Sequence, residues 1–139
     1  MTETFCLDPQ LERDTLPACE LMLSSVRLMN DARFPWMILV PRRPGVHELL
    51  DLSFDDRHRL LDETAQVAEA LRVVVKPRKL NIAAIGNVVA QLHVHVIARF
   101  ADDAAWPRPV WGIGTATPYS KDASAALLQS LMHALGSTC

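Results

Sequence analysis

The sequence predicts an α+β fold with a mostly antiparallel sheet. Apolar segments of strand-like length come before and after one long helical pattern, and a second helical stripe follows near residue 135. The order of strands, helix, strands, helix differs from the strict alternation that is typical of a parallel sheet. The 139 residues, half of them hydrophobic, are enough for one domain with its own core. We therefore expect a single domain over residues 1–139.

The segments before the long helix have the composition of a short helix and strands. Asp8 followed by Pro9 predicts a helix start, since aspartate caps free N–H groups and proline is tolerated at the first position. Residues 19–29 are apolar and of strand-like length, and residues 30–33 have the composition of a turn. Residues 36–40, WMILV, predict a short strand buried on both faces.

The long helix is the most clearly marked element. Ser53 and Asp56 resemble a capping box in which aspartate replaces the usual glutamate or glutamine. Pro77 ends the helix because proline cannot continue the hydrogen-bond ladder. The positions that recur at helical spacing are Leu60, Thr64, Val67, Leu71 and Val74 or Val75.

Strands are predicted again after the long helix. Residues 80–85 and 92–98 have strand composition, and Gly86 and Asn87 between them mark a turn. Residues 101–119 are rich in proline and hold two of the three tryptophans, which predicts an ordered but irregular segment.

The C-terminal part of the pattern is a second helix. Alanine and leucine recur at helical spacing from residue 123 to residue 135. Gly136 stands where a C-cap glycine belongs. The irregular segment and this helix together account for residues 101–139.

Charge and hydropathy exclude two classes of partner. The formal net charge is −2 and the pI is about 6.2, so no global basic field favours nucleic acid or an anionic membrane surface. The sequence has no run of about 18 apolar residues, so we expect no membrane-spanning helix. The acidic first residues, MTETFCLDPQLERDT, also do not resemble a signal peptide.

The cysteines predict free thiols. Cys6, Cys19 and Cys139 are odd in number, widely spaced and without a CxxC pair, which argues against a disulfide framework or a structural zinc site. We expect reduced thiols in a cytoplasmic protein.

Residues 91–98, QLHVHVIA, carry the pattern with most chemical content. Successive side chains of a strand point to opposite faces, so Gln91, His93 and His95 share one face. The apolar residues that alternate with them and face the core are Leu92, Val94 and Val96.

Three interpretations of these histidines remain open on the residues alone. They can form a solvated strand face or bond to neighbouring carbonyls. They can bind zinc, which requires a third ligand such as His47, His58, His133 or a carboxylate, although no spacing selects one. They can also form an anion site in which a neutral imidazole attacks phosphorus and its neighbours donate hydrogen bonds to the phosphoryl oxygens.

The stretch resembles the histidine triad (HIT) family, whose strand motif is His-φ-His-φ-His-φ-φ with φ apolar. Residues 91–97 match that motif with glutamine in place of the first histidine. Residues 86–89, Gly-Asn-Val-Val, are similar to the Gly-Gln-Ser/Thr-Val that often precedes the motif. Asn30 and the strand at 38–43 also resemble family features. The resemblance covers roughly residues 19–100.

The resemblance implies a five-stranded sheet, a homodimer and a nucleotide site that needs no metal or other cofactor. It implies hydrolysis or transfer at the α-phosphorus, with His93 as the nucleophile that forms a nucleotidyl-histidine. Gln91 and His95 would contact the phosphate and orient the nucleophile. Asn87 matches a phosphate-contacting position, and Asn30 a position near the ribose.

Two residues depart from the family pattern. Gln91 carries no charge at any pH, although its amide can donate to a phosphate oxygen. Val88 stands where many members have a serine or threonine that assists the leaving group, and the loss of one such donor costs about 100-fold in rate. We expect a hydrolase or transferase for a dinucleoside polyphosphate or a nucleoside phosphoramidate. The alternative is a nucleotide-binding module with little or no turnover.

Overall fold

A five-stranded antiparallel sheet forms the centre of the molecule in a computed structural model that describes residues 3–136 and residue 139. The strands are β1 Thr15–Glu20, β2 Ser24–Met29, β3 Trp36–Pro41, β4 Lys79–Ala83 and β5 Val94–Arg99. The helices are α1 Pro9–Asp14, α2 Phe54–Val75 and α3 Lys121–Leu135, with a 3-10 turn at Leu49–Asp51. The sheet order is β1-β2-β3-β5-β4 and every pair is antiparallel. The predicted α+β class and five-stranded sheet are confirmed.

The two faces of the sheet are covered differently. The long helix α2 and the C-terminal helix α3 pack against one face, where residues such as Leu39, Val96 and Leu71 are buried. The other face is covered by the short helix α1, which contributes Leu11, and by irregular chain that contributes Val110. Side chains of β5 that point to this second face therefore lie beneath loops, which have no fixed periodicity and can be shaped around a ligand.

The helix ends that the sequence predicts are confirmed. The Ser53 hydroxyl accepts a hydrogen bond from the N–H of Asp56 at 3.1 Å. Only half of the capping box forms, because the Asp56 carboxylate accepts from Arg43 instead. The helix ends at Lys76, whose φ of 51° is left-handed, and Pro77 follows. Asp8 caps α1 in the same way, through the N–H of Gln10 at 2.8 Å.

Residues 19–29 are two strands rather than one segment. A turn at 21–23 separates β1 from β2 and contains no glycine, proline or asparagine. The buried carboxylate of Glu63 on α2 accepts hydrogen bonds from the N–H groups of Leu23 and Ser24, both at 2.9 Å. The turn therefore depends on a residue 40 positions away, which the local sequence does not reveal.

Strand β5 begins later than the sequence predicts, at Val94 rather than residue 92. The N–H of Leu92 donates to the carbonyl of Val46 in a loop at 3.0 Å, so this residue pairs outside the sheet. As a result His95 lies within the strand, whereas Gln91 and His93 lie in the segment that leads into it. Strand β4 differs in the other direction: it begins one residue and ends two residues earlier than predicted, and covers 79–83 instead of 80–85.

The expectation of three free thiols is wrong. Cys19 on β1 and Cys139 form a disulfide with a Cα–Cα distance of 5.8 Å, a usual separation for such a bond. Helix α3 packs against α2 and β1, which brings these distant positions together. Cys6 is free and exposed.

Candidate active site

His93 is held with its Nε2 atom free. Its side chain is buried, and its Nδ1 atom lies 2.7 Å from the backbone carbonyl of Gln91. A carbonyl only accepts hydrogen bonds, so Nδ1 carries the proton and the Nε2 of the neutral ring keeps its lone pair. This tautomer is the one that a nucleophile at Nε2 requires.

His95 is held in the opposite tautomer. The indole Nε1–H of Trp36 on β3 donates to the Nδ1 of His95 at 3.0 Å. Because an indole is a donor only, Nδ1 must keep its lone pair and the ring proton lies on Nε2. Burial, reinforced by repulsion from His93, lowers the pKa of His95 to about 3. The ring is therefore a neutral donor at physiological pH.

The two imidazoles are neighbours in an edge-to-face arrangement. Their centroids are 4.8 Å apart and their planes make an angle of 67°. No other described residue hydrogen-bonds the Nε2 of His93 or the Nε2 of His95. The site thus offers one lone pair and one N–H donor, side by side and without a protein partner in the described part of the chain.

Gln91 binds the N-terminal segment rather than pointing freely beside the histidines. Its Oε1 accepts from the N–H of Asp8 at 2.9 Å, and its Nε2 donates to the carbonyl of Cys6 at 2.8 Å. The same residue accepts from His93 through its backbone carbonyl. Gln91 therefore connects the segment at residues 6–8 to the ring orientation of His93.

A cavity of about 440 Å³ is here called the Trp cavity, and neither His93 nor His95 is among the residues that line it. Trp36 and Trp111 line it, and the Trp111 ring also contacts His95 edge-to-face at 5.0 Å. Other lining residues include Met29, Asn30 and backbone from the loop after Val110. The cavity thus combines two indole rings with the charged side chains of Arg13, Asp14, Asp31 and Arg33, a mixture that suits a small polar molecule with a planar part.

An ion pair of buried Asp31 and partly buried Arg33 is part of the lining of the Trp cavity. Asp31 accepts from the Arg33 side chain at 2.8 and 3.0 Å and from the N–H of Thr117 at 3.2 Å. Burial alone would raise the pKa of Asp31, but these hydrogen bonds lower it. The adjacent Asn30 accepts from the N–H of Tyr119 through Oδ1 at 2.9 Å. The Asn30 amide nitrogen has no partner among the described residues, so it remains a donor at the cavity.

A second cavity of about 530 Å³, the His93 cavity, opens beside the first histidine. Its other walls come from the loop of His47, Glu48 and Leu49 and from the loop of Ile85 and Gly86. The lining contains one carboxylate and neither lysine nor arginine. It is therefore a site of mixed polarity without a fixed positive charge.

Asn87 and Val88 lie outside both cavities. Both residues are exposed in the loop between β4 and β5, and Val88 is 83% exposed. Neither side chain hydrogen-bonds a described residue. The structure thus brings His93, His95 and, through Trp36, Asn30 into one region, but it does not bring the Asn87 side chain into it.

The irregular segment that carries Trp111 is held by a buried ion pair. Arg99, at the end of β5, donates to both oxygens of Asp103 at 2.8 and 3.0 Å and to Asn81 at 2.8 Å. Asp103 also accepts from three backbone N–H groups, those of residues 100, 105 and 106. The hydrogen bonds from Arg99 lower the pKa of this carboxyl although burial opposes them.

A family model described as the HIT domain matches residues 11–102. The chain belongs to the HIT family. The matched range contains both histidines and all five strands of the sheet. The family model thus confirms the resemblance seen in the sequence. Membership of the HIT family indicates nucleotide binding, or hydrolase or transferase activity.

Solved structures of HIT proteins resemble the chain over nearly its whole length. A histidine triad protein from Bradyrhizobium japonicum is 41% identical, with a TM-score of 0.94 over 96% of this chain and 99% of the other. A histidine triad (HIT) protein from Sinorhizobium meliloti is 46% identical, with a TM-score of 0.92 over 94% and 96%. One from Marinobacter aquaeolei is 39% identical, with a TM-score of 0.95 over 99% and 100%. A comparison with curated proteins finds no match.

Several functional features of this HIT chain are not evident from its motif. For Trp106 and Trp111 the sequence favours packing over a place in a pocket wall or a dimer contact, whereas Trp111 lines the Trp cavity and contacts His95. Trp36 is part of an apolar strand pattern that gives no sign of its hydrogen bond. The proline- and tryptophan-rich composition of 101–119 was the one signal that pointed to an ordered cover.

The zinc interpretation requires a third ligand near the two histidines. Within residues 3–136 and 139, no three His, Cys, Asp or Glu side chains form a group that could hold a metal ion. The candidates His58 and His133 lie exposed on α2 and α3. Within the same part of the chain, no helix combines the length and the apolar content that crossing a membrane requires.

Proposed function

We propose that this HIT protein is a nucleotide hydrolase or nucleotidyl transferase that acts at an α-phosphorus through His93. The observation that carries the proposal is the pair of opposite tautomers. His93 presents a lone pair at Nε2, and His95 presents an N–H donor from the neighbouring ring. Phosphoryl transfer needs this combination, a nucleophile and a donor for the oxygens where charge develops.

The proposed reaction has two displacement steps. His93 Nε2 forms a bond to the α-phosphorus while the bond from phosphorus to the leaving group breaks. The leaving group departs with the electron pair, and an amine leaving group takes up a proton from solvent so that it leaves as the neutral amine. His95 Nε2–H donates to a phosphoryl oxygen. Water then attacks the nucleotidyl-histidine, the P–N bond breaks, and a nucleoside monophosphate and His93 are released.

The two cavities provide places for the two halves of the substrate. We place the nucleoside in the Trp cavity, where Trp36 and Trp111 can contact the base and the free amide nitrogen of Asn30 can donate to the ribose. We place the leaving group in the His93 cavity. Asn87 stays a proposed phosphate contact that requires its loop to turn inward.

The charge of the His93 cavity favours one leaving-group class. A polyphosphate leaving group carries several negative charges and is normally matched by lysine, arginine or a metal ion. The cavity has Glu48 and no such cation, and the nearby Arg42 and Arg43 are bound to Glu20 and Asp56. An uncharged or cationic amine fits better, so we propose nucleoside phosphoramidates ahead of dinucleoside polyphosphates.

Intact-protein mass spectrometry tests this proposal. The parent chain and His93→Ala are mixed briefly with adenosine phosphoramidate or diadenosine tetraphosphate and quenched at alkaline pH, which preserves P–N bonds. We expect an adenylyl adduct on the parent chain, its absence from the variant, and more AMP from the phosphoramidate. His58→Ala, which removes an exposed histidine of α2, serves as the matched control and should keep the adduct.

The outcomes separate the alternatives. AMP without an adduct in the parent chain, and no AMP from His93→Ala, would indicate an intermediate that breaks down quickly. Equal AMP from His93→Ala and the parent would contradict the proposal. Tight nucleotide binding with neither AMP nor adduct would establish a nucleotide-binding module instead. Val88 and the engaged side chain of Gln91 favour that second candidate, because neither supplies the donor that the family motif usually has.

We also propose that the chain forms a homodimer through the β4 edge of its sheet. Among the described strands, β4 has a neighbour on one side only. Four apolar residues around it are each about half exposed or more: Leu49, Leu61, Ile82 and Ile85. Exposed apolar residues beside an unpaired edge are typical of an interface.

Sedimentation velocity checks the dimer. The parent chain should sediment as a dimer and Ile82→Glu as a monomer, because a charge would be buried in the interface. Met22→Glu, at a similarly exposed apolar residue in the β1–β2 turn, should remain dimeric. A parent chain that is monomeric at micromolar concentration would contradict the proposed interface.

We further propose a cytoplasmic location for this nucleotide chemistry. The Cys19–Cys139 disulfide would be reduced in that compartment unless it is protected. Cells are alkylated rapidly, then lysed and fractionated. The fraction that contains the protein reports its location, and thiol labelling of the protein reports whether Cys19 and Cys139 are oxidised or reduced.

A further inference from the structure

The Trp36 side chain forms a hydrogen bond with His95 on β5. The proposed reaction does not by itself require this bond. The indole Nε1–H donates to His95 Nδ1 at 3.0 Å. We infer that Trp36 is a positioning residue that selects the Nε2–H tautomer of His95 and keeps this ring a neutral donor to the transferring phosphoryl group. The second half of this inference rests on the proposed function, whereas the tautomer itself can be measured without any substrate.

The indole of Trp36 is held firmly in this position. Its side chain is 6% exposed. Trp36 on β3 pairs with Ile97 on β5, and two residues further along β3, on the same face of the sheet, Ile38 pairs with His95. Phe34 and Trp111 contact the indole edge-to-face, at centroid distances of 6.4 and 5.9 Å. A ring enclosed in this way cannot rotate its N–H elsewhere without disturbing both neighbours.

The surroundings of His95 leave the indole as the group that chooses between tautomers. The titratable group that faces His95 is His93 on the same chain segment, and it repels a charge on His95. The partners of His95 across β3 and β4, Ile38 and Ala83, are uncharged, as is the covering Trp111. Burial disfavours the imidazolium but does not distinguish the two neutral forms, whereas a donor at Nδ1 permits only one of them.

Trp36 also lines the Trp cavity, so one side chain contacts two functional regions. Its ring forms part of the proposed nucleoside wall, and its N–H fixes the donor that faces the phosphate. A ligand in the Trp cavity that presses on the indole would therefore also press on His95. We expect substitution of Trp36 to change kcat as well as KM, unlike substitution of a residue that only lines the cavity.

The test compares Trp36→Phe with Trp111→Phe by ¹⁵N NMR of histidine-labelled protein. Both variants replace an indole of the Trp cavity that touches His95 by a smaller ring. Only the first removes a hydrogen bond to His95. The ¹⁵N shifts of Nδ1 and Nε2 distinguish the two neutral tautomers and the imidazolium, and they are followed from pH 8 to pH 4.

We expect a single neutral tautomer of His95, Nε2–H, in the parent chain and in Trp111→Phe, with the midpoint of protonation below pH 4. In Trp36→Phe the two tautomers should interconvert, and the midpoint of protonation should rise into the measured range. With adenosine phosphoramidate, kcat should fall roughly 10- to 100-fold in Trp36→Phe, as for a misplaced transition-state donor. Trp111→Phe should raise KM with little change in kcat.

An Nδ1–H tautomer of His95 in the parent chain would overturn the inference, even if Trp36→Phe does not fold. The same tautomer and titration in the parent and in a folded Trp36→Phe would also overturn it. If no substrate is turned over, the proposed function fails while the NMR result still decides the role of Trp36.

Discussion

Replacement of His93 by alanine is expected to lower kcat for adenosine phosphoramidate by more than about 10,000-fold, the scale seen when a covalent nucleophile is removed. The buried ring supplies the only lone pair at Nε2 that the two neighbouring histidines offer, because the ring proton of His95 occupies its Nε2. His95→Ala should cost less, roughly 100-fold, since it removes one donor and leaves the nucleophile. Steady-state and single-turnover kinetics measure both effects.

Nucleotide affinity should respond differently from turnover. The loss of one ring contact costs on the order of 1 kcal/mol, so AMP should bind His93→Ala within about tenfold of the parent chain by calorimetry. His58→Ala should match the parent in both measurements. A His93→Ala variant that loses AMP binding together with turnover would mean that the substitution damages the site as a whole, and the kinetic loss could not be assigned to the nucleophile.

Replacement of Asp103 by alanine is expected to lower the free energy of unfolding by about 3–5 kcal/mol, the range for one partner removed from a buried ion pair. Arg99 is 1% exposed and would keep its charge without a counterion. The backbone N–H groups of residues 100, 105 and 106 would lose their acceptor at the same time. Urea denaturation measures the change, and Asp102→Ala, at the exposed neighbouring carboxylate, is the matched control.

The stabilisation by Asp103 should depend on pH in one direction. Its folded-state pKa is lowered, so the contribution is complete above the unfolded value of about 4 and is lost as the pH falls below it. The difference between the parent chain and Asp103→Ala should therefore shrink in acid. Because Asp103 orders the segment that carries Trp111, the variant should also raise KM. Equal stability of Asp103→Ala and Asp102→Ala would contradict this account.

Local patterns were sufficient for the helices and for the face of residues 91–96 that carries the two histidines. The Ser53 cap and Pro77 act within a few residues, so the bounds of α2 follow from sequence. The alternation at Leu92, Val94 and Val96 correctly places these residues in the core opposite the histidines. Periodicity of this kind is set by backbone geometry alone and needs no knowledge of the partners.

The features that sequence could not supply depend on residues far apart in the chain. The turn at 21–23 is held by Glu63, and the disulfide joins positions 120 residues apart. The tautomer of His95 depends on Trp36, which lies 59 positions earlier. Each of these contacts joins residues that only the tertiary fold brings together, so no short stretch of sequence contains both partners.

The contacts of Gln91 bear on any attempt to engineer the standard family motif into this chain. A carboxamide presents its donor and its acceptor on the same side. In Gln91 the Nε2 donates to the carbonyl of Cys6 while the Oε1 accepts from the N–H of Asp8. A neutral imidazole also has one donor and one acceptor, but they point to opposite sides of the ring. A Gln91→His substitution would complete the triad, but it would also break at least one of the two hydrogen bonds that hold the segment at residues 6–8. Gln91 and the segment at residues 6–8 therefore form one structural unit, and a design that changes residue 91 would have to change that segment as well.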